Sequence, residues 1–141
     1  MMNIDGIKRL LPHREPFLFV DEVTKIEGNR IEAYRDIRPD EFYFVGHFPG
    51  FPVFPGVLIL ESIAQVGILL VLDRLGSGHG KKTLFAGIEK AKFKRPVRPG
   101  ERLLVTAELL AEKAGVYRFK GLAHVGDELA CEATATGALR D

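Results

Sequence analysis

The chain has 141 residues, the length of one domain, with 46% hydrophobic and 28% charged residues and a formal charge of +1. That balance excludes disorder and collagen-like repeats, and it argues against a general nucleic-acid binder, which needs a large basic surplus. The lone cysteine, Cys131, has no partner for an intrachain disulfide; with no histidine or basic neighbour it is expected to be a small buried residue in a strand rather than a reactive thiol.

The opening stretch "MMNIDGIKRLLPH" lacks the apolar core behind a basic start that a signal peptide has, so a cytoplasmic protein is expected. A short helix is predicted over about 5–11, stopped by Pro12. Two β-type runs follow, "FLFVDEVTKIE" and "NRIEAYRDIR", joined by a turn at Gly28-Asn29 as a hairpin. Residues 39–56 hold four of the eight prolines and five of the ten phenylalanines. Loops are normally polar, so this one is expected to lie against something.

A helix is predicted over 57–75, with Gly76 as its stop. Twelve of its first sixteen residues are apolar, which covers nearly every face, so the helix must be wrapped by other elements. With Glu61, Ser62 and Gln65 inside it, the apolar stretch is short and polar for a membrane span. After the connection "GSGHGKK", four β-runs are predicted at about 83–96, 101–113, 116–125 and 128–139, with turns at Pro99-Gly100, Ala114-Gly115 and Gly126-Asp127. The layout is α+β, one domain over 1–141, six strands about one central helix, the last four strands expected to form an antiparallel meander.

The connection fails as a phosphate loop, because Leu75 and Lys82 stand where glycine and Ser or Thr are required, and because it follows a helix instead of opening one. It is expected to be a flexible linker with His79 solvated. The prolines at 49, 52 and 55 are interleaved with phenylalanines, a poor design for an exposed polyproline ligand and a good one for a rigid packed turn. From Lys81 to Arg102 the segment carries a charge of +6 against −5 for the rest. It is either a solvated strand face or a docking patch for an acidic partner.

His47 and Glu61 are the candidate chemistry. Glu61 and Gln65 stand at i and i+4, stacked on one polar stripe of an otherwise apolar cylinder. A carboxylate buried there costs several kcal/mol unless paired or protonated. Desolvation raises its pKa, as a general acid needs near neutral pH, although the nearby helix N-terminus pulls the other way. Gly56 sits where the loop becomes the helix, so its N–H is an unpaired first-turn amide suited to a developing oxyanion. Base, acid and oxyanion donor are thus on offer, with no metal cluster, serine triad or cofactor loop in competition.

The run "HFPGFPVFPGVLILESIAQ", with "LPHREPFLFVDEV" before it and "FAGIEKAKFKRPVRPG" after it, resembles the FabZ-type β-hydroxyacyl-acyl-carrier-protein dehydratases, in the family's motif order and over nearly the whole chain. The resemblance implies a hotdog fold, an antiparallel sheet around a long central helix, and a hydro-lyase without cofactor or metal. It implies His47 as the base that removes the C2 proton, its other ring nitrogen held by a backbone carbonyl, that of Val53. Glu61 would protonate the leaving 3-hydroxyl, and Gly56 N–H would polarise the thioester carbonyl. The site would be shared between two subunits of a homodimer, with a trimer of dimers as the expected assembly.

Phe48, Phe51 and Phe54 are candidates for the tunnel or the subunit interface, with Gln65, Leu84 and Phe85 as further tunnel candidates. Lys90, Lys92, Lys94, Arg95 and Arg98 are candidates for docking acyl carrier protein, which is acidic. Leu84 precedes "FAGI" where many relatives carry a tyrosine that gates the tunnel. Glu61, rather than aspartate, points away from the related dehydratase-isomerases. Rival readings are a hotdog thioesterase in which Glu61 activates water, a coenzyme-A-linked hydratase, and a non-catalytic acyl-chain binder. The proline-rich histidine loop argues against the first, and the presence of both His47 and Glu61 against the last.

Overall fold

The computed structural model describes residues 1–141. A short helix α1 (Ile4–Leu10) is capped by the Asn3 side chain, which accepts from Gly6 N–H. Strands β1 (Glu22–Glu27) and β2 (Arg30–Asp36) form the predicted hairpin. A 3₁₀ turn (Phe42–Val45) precedes the proline-rich loop, and the long helix α2 spans Gly56–Leu75. Four strands complete the chain: β3 (Lys82–Phe93), β4 (Arg102–Lys113), β5 (Val116–Val125) and β6 (Glu128–Arg140).

All six strands pair antiparallel in one sheet, in the order β1-β2-β4-β5-β6-β3. The sheet wraps α2, the hotdog arrangement. One expectation is corrected: the last four strands are not a consecutive meander, because β3 pairs with β6 at the far edge and only β4-β5-β6 run as neighbours. The strand expected to reach residue 96 ends at Phe93. Although the turn at Pro99-Gly100 is present, with Glu101 N–H donating to Arg98 O (3.2 Å), the segment "KRPVRPGE" between β3 and β4 does not form a hairpin. Instead it crosses the end of the sheet with Val97 fully buried, tied by Phe54 N–H to Val97 O (2.7 Å) and Gly100 N–H to Ile37 O (2.7 Å). Two prolines that cannot donate to a ladder suit a crossing segment better than a tight hairpin.

α2 is apolar on nearly every side because the sheet encloses it; Ile63, Leu69, Leu70 and Leu72 are fully buried. Each such side chain contributes about 1.5–3 kcal/mol relative to exposure, so this helix is the centre of the core. By length and composition it passes for a membrane span, yet two-thirds of it is buried inside the protein, as befits a core helix. Backbone approach is closest at Gly121 of β5, where an added Cβ would stand 2.2 Å from Ile63 Cγ2. Gly76, with φ +86°, ends the helix, and Arg74 bonds the β1–β2 turn at Gly28 O and Asn29 Oδ1 (both 2.9 Å).

The loop after α2 is not a loose linker at His79. Its Nε2 lies 2.6 Å from Leu10 O and its Nδ1 accepts from Lys81 N–H at 2.8 Å, so the half-buried ring ties this connection to the end of α1. The expectation of a solvated His79 is therefore corrected. Cys131 is buried in β6 as expected, and burial pushes its thiol up to about 11, which keeps it un-ionised.

Candidate active site

The proline-rich loop is built around His47. Val53 N–H donates to His47 O (2.9 Å), and His47 N–H donates to Tyr43 O (3.0 Å), which closes the loop on the 3₁₀ turn. At its tip Phe48 and Phe51 exchange both backbone hydrogen bonds (3.0 and 2.9 Å) across Pro49-Gly50. Gly50 has φ +75°, so Pro49 and Gly50 occupy the two central positions that a type II turn assigns to those residue types. His47 Nδ1 lies 2.8 Å from Val53 O. A carbonyl can only accept, so Nδ1 carries the hydrogen, and in the neutral ring Nε2 is left with its lone pair free.

The turn itself is anchored by a buried cation. Arg35 of β2, 2% exposed, pairs with Asp21 Oδ1 (3.3 Å) and with Glu41. Glu41 in turn accepts from Arg38 N–H at 3.0 Å, and Asp21 from Asp36 N–H at 2.7 Å. Both carboxylates are thus engaged by more than one donor, the condition under which a buried ion pair is tolerated. The buried phenol of Tyr43, beside this cluster, is pushed up to about 12 by desolvation.

Glu61 is held from below by α2 itself. Gln65 Nε2 donates to Glu61 Oε2 (2.9 Å) and to Phe17 O (3.0 Å), and Gln65 Oε1 accepts from Phe19 N–H (2.8 Å). Ser62 Oγ donates to Phe19 O (2.8 Å). Every polar atom of the Gln65 amide is therefore used, and the amide fixes both the 17–19 segment and the Glu61 carboxylate. Burial raises the Glu61 pKa above the ordinary carboxylate range, against the Gln65 hydrogen bond, which lowers it.

Glu61 and Gln65 stand on the wall of a cavity of about 240 Å³ that extends between α2 and the sheet. Its apolar lining includes Phe17, Ile68 and Phe119, and Leu84 and Phe85 of β3 close one side. Of the phenylalanines in the proline-rich loop, Phe54 is buried in the core (1% exposed) against Phe19 and Tyr43, while Phe48 and Phe51 remain about half exposed. None of the three lines this cavity.

His47 is not in that cavity either. Gly56 and Val53 border a second hollow of about 350 Å³, together with Phe93, Lys94 and Arg95. Gly56 is the first residue of α2, where an N–H has no partner within the helix. An added Cβ at that position would stand 2.8 Å from the Phe93 ring. Within one chain, then, the structure brings Val53 to His47 and leaves Glu61 in a separate cavity.

The basic candidates are dispersed. Lys90 and Lys92 flank a shallow depression with Lys120, Arg95 pairs with Glu101 (2.6 Å) and Glu128 (3.6 Å), and Arg98 lies over the exposed Phe51 ring at 4.8 Å.

One residue at the site was not singled out from the sequence. His13, just past α1, lines the Glu61 cavity with Nε2 3.6 Å from Glu61 Oε2. Burial, with the Arg14 charge adding to it, lowers its pKa, which favours the neutral ring. A single histidine after a helix-stopping proline carries no periodic signal, and its partner stands 48 positions away.

Comparisons with known proteins bear on the family and the fold. Residues 11–134 match the FabA-like domain family. The chain is 52% identical over 135 residues, 94% of its own length and 93% of the other, to the 3-hydroxyacyl-[acyl-carrier-protein] dehydratase FabZ of Acidovorax sp. (strain JS42). It is 46% identical to that of Pelotomaculum thermopropionicum, over 99% of this chain and the whole of the other. Among solved structures the dehydratase heterocomplex ApeI:P of Xenorhabdus doucetiae superposes with a TM-score of 0.81 at 15% identity, covering 96% of this chain and 91% of that one. A thioesterase of Haemophilus influenzae gives 0.61 at 19% identity over 85% and 78% of the two chains; at these identities the likeness is one of fold. Sequence identity near one half over almost the full length is a stronger bond than shared topology, and by it the chain belongs to the FabZ family of 3-hydroxyacyl-[acyl-carrier-protein] dehydratases.

Proposed function

We propose that the protein, one domain over residues 1–141, is a hydro-lyase that converts (3R)-3-hydroxyacyl-acyl-carrier-protein to the trans-2-enoyl thioester in the cytoplasm. The observation that carries the reading is the His47 Nδ1 to Val53 O bond of 2.8 Å, which leaves Nε2 as a base. In the reaction Nε2 takes the C2 proton as the C2=C3 bond forms and the C3–O bond breaks. Gly56 N–H supports the negative charge that develops on the thioester oxygen. Glu61, whose burial favours the neutral acid, gives its proton to the departing hydroxyl, which leaves as water. A proton passing from the imidazolium to the carboxylate through solvent resets the site.

Glu61 lines a cavity that His47 does not reach, while His47 is tied to Val53 at the edge of a different hollow of the same chain, which supports a site completed by a second copy. The free edge of β3 carries exposed Leu84, Phe85, Ile88 and Phe93. A long edge strand with apolar residues on it is a template for pairing. Self-pairing of β3 about a two-fold axis yields the homodimer, and three dimers the assembly we favour. Lys94 and Arg95 beside the Gly56 hollow, Lys90 and Lys92 about the shallow depression, and Arg98 over Phe51 are the dispersed cations we propose as the landing area for acidic acyl carrier protein. Leu84, exposed beside the cavity in place of a gating tyrosine, leaves that wall without a phenol to close it.

The test is to supply a 3-hydroxyacyl thioester on acyl carrier protein and record the conjugated enoyl product by ultraviolet absorbance. His47→Ala and Glu61→Gln are each expected to lose about 10²–10⁴-fold in rate. Free thiol without enoyl product, or near wild-type rates in both variants, rejects the assignment.

A further inference from the structure

The cavity that holds Glu61 contains one more polar side chain with unused capacity. His13 Nε2 faces Glu61 Oε2 at 3.6 Å, just beyond hydrogen-bond length, and both side chains are largely shielded, at 17% and 14% exposure. His13 Nδ1 is buried with no hydrogen-bond partner. These two facts together decide the tautomer. An orphaned buried N–H is rarer and costlier than an orphaned lone pair, so the hydrogen sits on Nε2 and points at the carboxyl group. A lone pair on Nε2 would instead oppose the carboxylate oxygen.

Glu61 Oε2 then lies between two N–H groups, from the Gln65 amide at 2.9 Å and from His13. We infer that His13 is a positioning residue for Glu61: its Nε2–H, acting with Gln65, fixes Oε2 as the accepting oxygen and leaves Oε1 to carry the transferable proton. This rests on the reading of Glu61 as the proton donor. It goes beyond that reading by assigning the two carboxyl oxygens different roles and by naming the group that separates them.

The electrostatic surroundings are simple. Arg14, next in the chain, has its guanidinium tied to Leu11 O, His13 O and Lys8 O (2.7–2.9 Å). Its charge and the burial of the ring both favour neutral His13. The other residues that line the cavity carry no charge, so Glu61 is the one acid that His13 faces there. A neutral donor aimed at a carboxylate stabilises its ionised form. His13 and Gln65 therefore offset part of what burial does to Glu61, so that the acid can release its proton and not merely hold it.

The experiment follows the ionisation of Glu61 and not only the rate. In full-length protein labelled with carboxyl-¹³C glutamate, the Glu61 signal is identified by its loss in Glu61→Gln, then titrated in the wild type, in His13→Leu and in His13→Gln. Removal of the imidazole in His13→Leu is expected to raise the Glu61 titration point by on the order of half a pH unit or more. His13→Gln, which keeps an N–H donor that does not titrate, is expected to bring it back toward the wild-type value. The alkaline limb of the kcat/KM profile should move in parallel.

An unshifted Glu61 titration in both variants, even with a slower enzyme, overturns the inference, since a merely structural role would slow the reaction without moving the ionisation. If the leucine variant fails to fold, ¹⁵N spectra of histidine in the unmutated protein decide the matter. A His13 ring with hydrogen on Nε2 whose shifts follow the Glu61 titration supports the proposal; hydrogen on Nδ1, or no response, rejects it. A wild-type protein that forms no enoyl product would reject the dehydratase reading, while the titration would still report on the His13–Glu61 pair.

Discussion

Glu61 pulls function and stability apart. Its folded-state pKa is raised by burial, so the native state binds its proton more tightly than the unfolded chain does. Stability from this group is therefore complete below the ordinary carboxylate pKa and declines as the pH rises through the higher folded value. Glu61→Gln, which cannot ionise and keeps an oxygen to accept from Gln65, is expected to be more stable than the wild type at pH 7. Urea unfolding at pH 7 and pH 4 checks this: the advantage should disappear at the lower pH, while the variant stays inactive at both. An advantage of equal size at both pH values would mean that the carboxylate's charge is not what costs stability.

At this scale the sequence was informative about Glu61 and Gln65, because i,i+4 spacing on an apolar helix leaves a narrow stripe and local geometry places it. Ser62 and His13 were not legible in the same way. Their partners, Phe19 O and Glu61, lie more than forty positions away, and only the packing of the 13–19 segment across α2 brings them together.

Among the elements, α2 and β5 meet at a contact that leaves no room. A side chain at Gly121 would overlap Ile63, and one at Gly67 would come within 2.9 Å of the Phe119 ring. Gly121→Val is expected to push helix and sheet apart and to cost about 1–3 kcal/mol, seen as a lower urea midpoint. The edge strand β3 is under the opposite constraint, since its apolar side chains have room and no cover. Ile88→Glu is expected to leave the fold intact by circular dichroism but to shift the protein toward monomer in sedimentation, with activity falling in proportion. A dimer that survives this change would place the interface elsewhere.

The boundaries of these elements were readable within a few residues, because turns at Ala114-Gly115 and Gly126-Asp127 and the stop at Gly76 are local signals. The neighbour of β3 was not, since pairing is a property of the whole sheet. The prolines of the 94–101 segment look alike whether they end a hairpin or carry a crossing strap.

For the whole molecule, the separation of His47 from Glu61 has a quantitative consequence. If each site takes its histidine from one subunit and its glutamate from the other, a heterodimer of His47→Ala with Glu61→Gln contains one intact site and one doubly defective site. Equal mixing of the two inactive proteins under conditions that exchange subunits should therefore restore about a quarter of wild-type activity. No recovery, despite exchange proven by mass spectrometry, would mean that the two residues act within one chain. The fold class could be foreseen from six strand-like runs and one all-apolar helix. The proposed division of the site could not be derived from them, because no pattern in a single chain records which copy supplies a group.

The sheet order also imposes a schedule. β3 is made early but has its one partner within the chain in β6, the last strand; β2 likewise waits for β4 across the helix and β3. During synthesis, at roughly 5–20 residues per second, the apolar β3 segment is thus without its native neighbour until the final strand has emerged. Topologies of such long sequence separation fold slowly. The strand proposed to join two copies is thus, for those seconds, an apolar strand without its partner, and its lysines at 82, 90 and 92 stand where charge can keep ribosome-neighbouring copies from pairing too soon.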